Sequence, residues 1–158
     1  MAKTPGEKLV AKNPTAFQDY FIQEVVEAGM VLTGTEIKSL RTQAPSLKDA
    51  HVDVTRGAGV LEAWLVGAHI APYQHGNIWN HEPTRRRKLL LHRHQIEKLH
   101  GAITQKGVTL IPTRLYLKGG RAKIEVALAT RKKKHDKRAE SQKRTHDREI
   151  DLARKRSR

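Results

Sequence analysis

Alternating apolar and polar residues, the pattern of half-buried β-strands, recur along much of this chain. The run DYFIQEVV at residues 19–26 predicts a strand with two usable faces, and a shorter strand follows at residues 30–32. Alternation on both sides of a glycine-containing turn predicts a β-hairpin. Two such hairpins are predicted, the first pairing residues 51–56 with 60–66 and the second pairing residues 108–118 with 121–129.

Two segments have the spacing of apolar residues that is typical of helices. TGTEIKSLR at residues 33–41 begins with a capping-box pattern, because Glu36 lies three residues after Thr33. A second helix is predicted from about Leu90, and Gly107 stands where its C-terminal cap is expected. With about six strands, two or three helices and no βαβ rhythm, the sequence predicts an α+β fold or a small antiparallel barrel.

Composition divides the chain into three parts. Residues 1–12 lack periodicity and are predicted to be a mobile basic arm, while residues 13–130 contain the predicted strands and helices. After Thr130 the hydrophobic pattern stops, and residues 131–158 form a basic tail. A helix with polar residues on every side buries little apolar surface, so nothing compensates for the conformational entropy that the chain loses when the helix forms. We therefore expect this tail to be disordered when free and helical on a polyanionic surface.

The net charge indicates the class of partner. The chain has 31 Lys or Arg against 16 Asp or Glu, a net +15, which attracts polyanions whatever their sequence. The tail alone has 13 Lys or Arg and 5 Asp or Glu in its 28 residues. With no Cys and no long apolar run, neither disulfides nor membrane insertion is expected. These features fit a cytoplasmic RNA- or DNA-binding protein.

Four residues near the second predicted helix raise the question of a metal site: His92, His94, His100 and Glu97. Residues two apart, such as His92 and His94, do not face each other on a helix. No second carboxylate or Cys completes a set of ligands. We therefore expect no metal and no cofactor.

Asp49, His51 and Asp53 raise the alternative of a nuclease, with carboxylates holding magnesium and His as general base. On a strand the three would share one face. The same alternation also predicts that this face is simply exposed to solvent. Since no third acidic cluster accompanies them, we expect a protein that is not an enzyme.

Basic clusters and aromatic side chains supply candidate nucleic-acid contacts. The run RRRK at residues 85–88 and the basic residues of 118–123 are either phosphate contacts or a solvated face. Aromatic rings stack on unpaired bases. Three aromatic residues are candidates for that role: Tyr20, Tyr73 and Trp79. We assign Trp64 to the core and leave Tyr20 open between the two roles.

Six segments, in order and at consistent spacing, together resemble one family. They are NPTAFQDYFIQEVVEAGMVLTGTEIKSLR at 13–41, LKDAHV at 47–52, AHIAPY at 68–73, RRRKLLLHRHQIEKL at 85–99, TLIPTRLYLKGGRAKIEVALA at 109–129 and KKKHDKR at 132–138. The family is that of the SsrA-binding protein, or small protein B, the bacterial partner of transfer-messenger RNA. The GTEIKSLR and RKLLL blocks are the strongest part of the resemblance.

The resemblance implies a fold and a mechanism. The fold would be an OB-like (oligonucleotide-binding) barrel with flanking helices and no enzymatic activity. The body would grip the tRNA-like domain of transfer-messenger RNA, which elongation factor Tu brings to a stalled ribosome. The tail would lie in the empty mRNA channel past the decoding centre of the small-subunit rRNA, so that trans-translation tags the nascent peptide. We expect a monomer without membrane contact.

Carried over by position, the resemblance implies two sets of site residues. The contacts to transfer-messenger RNA would be Asn13, Tyr20, Glu27, Leu90 and Lys123. The ribosome contacts would be Lys132, Lys133, His135, Asp136, Lys137 and Arg138. Within the second set, His135 is a candidate for stacking and Asp136 a candidate N-cap of the tail helix.

Two departures from the family pattern weaken parts of that transfer. Arg131 stands where the family usually has a glycine, which puts the freedom of a hinge in doubt. Pro14 and Thr15 replace a basic pair, which weakens phosphate contact at that edge. A general ribosomal or RNA-chaperone-like basic protein and a small nuclease remain the competing hypotheses.

Overall fold

The computed structural model describes residues 6–156 of the chain. That range contains seven strands, four α-helices and one short 3-10 helix. In chain order they are β1 (Glu7–Lys12), α1 (Pro14–Asp19), β2 (Tyr20–Met30), α2 (Gly34–Thr42), β3 (His51–Gly57), β4 (Val60–Val66), the 3-10 helix (Asn77–Trp79), β5 (Arg87–Leu90), α3 (Arg93–Ile103), β6 (Val108–Lys118), β7 (Arg121–Arg131) and α4 (Lys134–Arg156).

The strands form one antiparallel sheet in the order β1-β6-β7-β2-β5-β4-β3. The α+β class is confirmed, but the predicted barrel is wrong. β1 and β3 are the two edges, and between residues 6 and 156 no ladder of hydrogen bonds joins them. Closure depends on whether the edge strands meet in register, and alternation of side chains along each strand does not encode this.

Both predicted hairpins are confirmed, since β3 pairs with β4 and β6 pairs with β7 throughout their lengths. The predicted first helix is confirmed as α2, where Glu36 Oε2 accepts a hydrogen bond of 3.0 Å from the backbone N–H of Thr33. The second helix begins later than predicted, at Arg93. Leu90 instead belongs to β5, because an apolar run of three leucines fits a short buried strand as well as a helix.

The amino-terminal segment differs from the mobile arm that the sequence predicts. Residues 7–12 form β1, which pairs with β6 from Glu7 opposite Lys118 to Lys12 opposite Arg114. This pairing covers the backbone of an edge strand, and no local sequence pattern announces it. Residues 1–5 of the predicted arm lie outside the described residues.

A buried charged cluster supports the centre of the fold. Glu36 and Arg87 are both 0% exposed, and their side chains meet at 3.0 Å between Oε1 and Nε. Arg85 Nη2 adds a second contact of 2.9 Å to Glu36 Oε2. Burial alone would raise the pKa of Glu36, but hydrogen bonds from Arg85 and Thr33 and the charge of Arg87 lower it overall. The cluster joins α2 to the segment that leads into β5.

The tail is a helix in this structure, whereas the sequence predicts disorder for the free chain. α4 extends over 23 residues, and none of its side chains is buried. The tail is therefore helical here, as expected for its bound form, although its side chains pack into no hydrophobic core. Among the residues that the structure describes, no helix is both long and apolar enough to cross a membrane.

Candidate nucleic-acid interface

A groove of about 780 Å³ lies where β2, β5 and the start of α3 meet. Three of the five predicted RNA contacts line it: Glu27 from β2, Leu90 from β5 and Lys123 from β7. The walls also carry exposed apolar side chains, with Val25 at 45% and Val60 at 61% exposure. Apolar walls with a few polar groups suit the binding of a base and its ribose.

Gly29 brings two of these side chains together. It stands opposite Leu90 in the pairing of β2 with β5 and opposite Lys123 in the pairing of β2 with β7. A Cβ atom at Gly29 would lie 3.3 Å from the Cβ of Leu90, which is tighter than ordinary packing. The absence of a side chain at Gly29 thus lets Leu90 pack closely over the backbone of β2.

Glu27 is held in place by a buried phenol. The hydroxyl of Tyr116 donates a hydrogen bond to Glu27 Oε2. Burial and then this hydrogen bond raise the pKa of Tyr116, so the hydroxyl remains a donor. On β7 the opposite residue, Glu125, is neutralised by Arg114, whose Nη2 lies 2.5 Å from Glu125 Oε1. The exposed carboxylate of Glu27 is therefore oriented to accept from a base amino group or a ribose hydroxyl.

The groove is not uniformly basic. Its charged lining residues are Glu24, Glu27, Glu62, Lys88 and Lys123. Lys88 Nζ lies 3.0 Å from Glu62 Oε1, so its charge is partly neutralised. The attraction of a polyanion must therefore come mainly from the rest of the basic surface, while the groove itself provides hydrogen-bonding groups.

Asn13 and Tyr20 do not lie in the groove. Asn13 is 4% exposed and caps α1, with Oδ1 accepting from the N–H of Thr15 at 3.2 Å and Nδ2 donating to the carbonyl of Pro112 at 2.9 Å. Tyr20 is half-buried against a small apolar cluster that includes Ile111. Their polar and aromatic groups therefore support the start of β2, about 30 Å of strand from Gly29.

Lys132 anchors the tail to the body. It is 8% exposed, although the sequence predicts a ribosome contact for it. Its Nζ donates to the carbonyl of Phe17 at 3.0 Å and to the carboxylate of Glu140, and it lies 5.1 Å from the ring centroid of Phe21. The hydrogen bond from Lys132 lowers the pKa of Glu140. Lys132 therefore joins α4 to α1 and β2.

Asp19 makes the second attachment of the tail. Its carbonyl accepts a hydrogen bond of 2.8 Å from the backbone N–H of Lys132. Its Oδ1 lies 2.8 Å from Nζ of Lys137 in the first turns of α4. Since Lys132 and Lys137 both contact the body, Lys133, His135 and Arg138 are the members of the predicted ribosome set that are exposed.

The start of α4 differs from the prediction at Asp136. The helix begins at Lys134, so Lys133 occupies the N-cap position and Asp136 lies three residues after it. Asp136 Oδ2 accepts a hydrogen bond of 3.2 Å from the N–H of Lys133, which is one half of a capping box. The predicted N-cap role is wrong in position, but the carboxylate still stabilises the helix start. The side chain of His135 is 79% exposed.

Sequence reasoning missed three residues of this arrangement. Gly29 had a usable signal, because a glycine within a strand pattern often marks a close approach. Asp19 and Glu140 had none, since their partners are 118 and 8 residues away and no local pattern specifies either contact.

The enzymatic alternatives gain no support. Asp49 lies before β3 with φ of 62°, and the pair nearest to a nuclease arrangement is His51 Nε2 with Asp53 Oδ1 at 3.4 Å. The rings of His92 and His94 stack, with centroids 5.7 Å apart. Between residues 6 and 156, no three His, Asp or Glu side chains gather as metal ligands would.

Comparisons with known proteins agree on one family. The family model described as "SmpB protein" matches residues 10–156. An SsrA-binding protein of Roseiflexus castenholzii is 51% identical over 155 residues, covering 97% of this chain and 96% of the relative. One of Streptococcus sanguinis is 51% identical over 150 residues, covering 95% and 94%. A solved chain described by the words "tmRNA-SmpB: a journey to the center of the bacterial ribosome" has TM-score 0.64 and 41% identity, over 80% of this chain and 87% of that one.

Proposed function

The chain belongs to the SmpB protein family, and on this basis we propose that it binds the tRNA-like domain of transfer-messenger RNA and delivers it to stalled ribosomes. The family is non-enzymatic, so the protein acts as an adaptor in trans-translation. Elongation factor Tu is linked to it through the RNA. The chain contributes binding groups on its body and a basic helix that enters the mRNA channel.

The observation that supports this proposal best is the separation of two surfaces along one strand. The groove lies along the second half of β2 and includes Glu27, while Tyr20 at its other end stands opposite Arg131, the residue where β7 leads into the tail. β2 extends over 11 residues, with one bulge between Ile22 and Glu24, so both surfaces belong to one sheet. A protein that links two RNAs needs two separate binding surfaces at a fixed distance, and the groove and the root of the tail lie at opposite ends of β2.

The RNA-contacting role falls on the groove residues. Lys123 meets a phosphate, Glu27 accepts from a base or ribose donor, and Leu90 packs against a sugar or base face. Asn13 and Tyr20 support this surface through α1 and the start of β2. The body can therefore be treated as residues 13–130 together with β1.

The ribosome-contacting role falls on the exposed residues of the tail. His135 is placed to stack on a base of the decoding centre, and Lys133 and Arg138 to contact rRNA phosphates. Lys132, Lys137 and Asp136 set the start and the direction of α4. The segment from 131 to 156 is thus an anchored base followed by a long basic helix.

Lys123→Ala should weaken binding of the tRNA-like RNA by roughly tenfold and reduce the slope of log K against log salt concentration by about one. The reason is the loss of one phosphate contact in the groove. The measurement is equilibrium binding across a series of salt concentrations.

Lys48→Ala is the control, because Lys48 is a lysine that does not line the groove; it is exposed, whereas Lys123 is half-buried. An unchanged slope for Lys123→Ala would contradict the phosphate contact. Equal binding of an unrelated RNA of the same length at physiological salt would instead favour a general RNA-chaperone-like protein. Divalent-dependent cleavage that Asp49→Ala and Asp53→Ala abolish would favour the nuclease.

In the free protein, backbone amides of residues 141–156 should exchange with solvent nearly as fast as in an unfolded peptide. Those side chains are all exposed, so few contacts oppose local opening. Hydrogen exchange of the free protein measures this directly, and on the ribosome the same amides should become protected.

α3 provides the comparison within the same molecule, because its Ile96 and Leu99 are buried. Protection of residues 141–156 equal to that of α3 in the free protein would show that the tail does not need a polyanionic surface to be helical.

A further inference from the structure

The loop between β4 and β5 carries an apolar tip that the groove and tail do not use. Ile78 is 86% exposed and Trp79 is 83% exposed, the highest values among the large apolar side chains that the structure describes. Neither packs into the core. Trp64, which the sequence assigns to the core, is half-buried and belongs to neither core cluster; the guanidinium of Arg86 lies 5.3 Å from its ring centroid.

Hydrogen bonds hold this loop in one shape. Asn80 spans it, because Nδ2 donates to the carbonyl of Tyr73 at 2.6 Å and Oδ1 accepts from the N–H of Tyr73 at 3.0 Å. The N–H of Trp79 donates to the carbonyl of Gly76 at 3.1 Å. A Cβ atom at Gly76 would lie 2.7 Å from Asn80 Nδ2, so a larger residue there would displace the Asn80 amide from its hydrogen bonds to Tyr73.

The loop is also fixed to the body through α2. His81 contacts Thr35 Oγ1 at 2.9 Å and the carbonyl of Ile70 at 3.0 Å. Ser39 Oγ donates to the carbonyl of Ala71 at 2.6 Å. The indole of Trp79 is therefore presented to solvent from a preformed position, which lowers the entropy lost on binding.

The surroundings of the tip favour a polyanionic partner with flat rings. α2 and residues 71–86 contain four Lys or Arg and two Glu; Glu36 pairs with one of these cations, Arg85, which leaves three cations and one glutamate. Lys38 Nζ lies 5.7 Å from the ring centroid of Tyr73. Two apolar side chains fall far short of the roughly 800 Å² per partner of a stable protein interface. One indole face is sufficient for a nucleobase.

The loop is close to the groove along the sheet. It leads into β5 at Arg87, and Leu90 at the other end of β5 lines the groove, about 10 Å of strand away. β2 ends at Met30 beside Leu89 and continues towards α2, while its first residue, Tyr20, lies beside the tail. The groove thus lies between the tail and the loop, and an RNA filling the groove can reach the loop.

We propose that Trp79 is a stacking platform for an unpaired base of the transfer-messenger RNA whose tRNA-like domain fills the groove. Ile78 beside it excludes water from the edge of the stacked base. This inference rests on the proposed function, since it assigns a second contact to the same RNA.

The test is equilibrium binding of the tRNA-like RNA to the full chain and to Trp79→Ala and Trp79→Phe. Trp79→Ala should weaken binding about tenfold, the usual loss for one stacked base, and Trp79→Phe much less. The salt slope should not change, because no phosphate contact is lost. Adding the RNA should quench the part of the tryptophan fluorescence that comes from Trp79. The Trp79→Phe variant, which keeps only Trp64, should not show this quenching.

Leu152→Ala is the matched control, since Leu152 is an exposed apolar residue of the tail at 55% exposure. Thermal unfolding should show Trp79→Ala to be as stable as the parent. If the parent does not prefer this RNA to an unrelated one, the proposed function fails. If the parent is selective and Trp79→Ala binds equally well, the stacking platform fails. A defect confined to ribosome binding or to self-association would also overturn it, by assigning the loop to rRNA or to a second copy.

Discussion

A chain that ends at Lys133 should bind the tRNA-like RNA to within about tenfold of the full-length protein at physiological salt, because the groove is intact and only non-specific attraction is lost. Tagging on stalled ribosomes should be abolished, since α4 is absent. Ending at Lys133 rather than Thr130 keeps Lys132, whose Nζ still donates to Phe17. Binding and a reconstituted tagging reaction measure the two outcomes.

The matched variant keeps the tail and changes its first turns: Asp136→Ala with Lys137→Ala and Arg138→Ala. It should bind RNA almost as the parent does and should also fail in tagging. Loss of RNA binding by the truncated chain, with an unchanged unfolding midpoint, would contradict the division into body and tail. Normal tagging by the triple variant would show that the tail acts only through its total charge.

Glu36→Gln should lower the free energy of unfolding by about 3–5 kcal/mol, the usual loss when a buried ion pair keeps only one charge. Arg87 would remain 0% exposed with no carboxylate beside it. Its Nη1 donates to the carbonyl of Ala68 at 3.0 Å, so the guanidinium cannot turn towards solvent without breaking the loop contact. Urea unfolding of both chains measures the difference.

Glu97→Gln is the control, because the ion pair of Glu97 with Arg93 is exposed and such pairs contribute about 0.3–0.5 kcal/mol. The pH dependence gives a second check. Since the pKa of Glu36 is lowered in the folded chain, its contribution is fully present above the ordinary pKa of a glutamate and is lost as pH falls through the lowered value. Glu36→Gln should lack this part of the acid-induced loss, and equal acid profiles would contradict the assignment.

Much of the fold could be predicted from local sequence. The two hairpins and α2 each depend on neighbouring residues, through alternation, turn glycines and the Thr33–Glu36 capping box. β1 could not be predicted, because its pairing with β6 joins residues more than 100 positions apart. The open sheet was missed for the same reason, since closure is a relation between the two edges.

The resemblance supplied the candidate site, and the geometry separates its members. Glu27, Leu90 and Lys123 meet in one groove, which the register of three strands around Gly29 brings about. Lys132 is the instructive exception. By composition it is one more cation of a basic run, but its burial depends on Phe17 and Glu140, which sequence alone does not bring near.

β2 connects the groove to the root of the tail helix. β2 extends from Tyr20 to Met30 with one bulge between Ile22 and Glu24, so the spacing between Gly29 and the root of α4 is set by the strand and that bulge. Only the first turns of α4 are held against the body, through Lys132 and Lys137, so the position of the helix start relative to the groove is fixed while the rest of the tail is free to open. Arg131 stands where the family usually has a glycine, and it pairs with Tyr20 of β2. A residue with a side chain restricts the backbone there, which keeps the distance between the groove and the start of α4 constant.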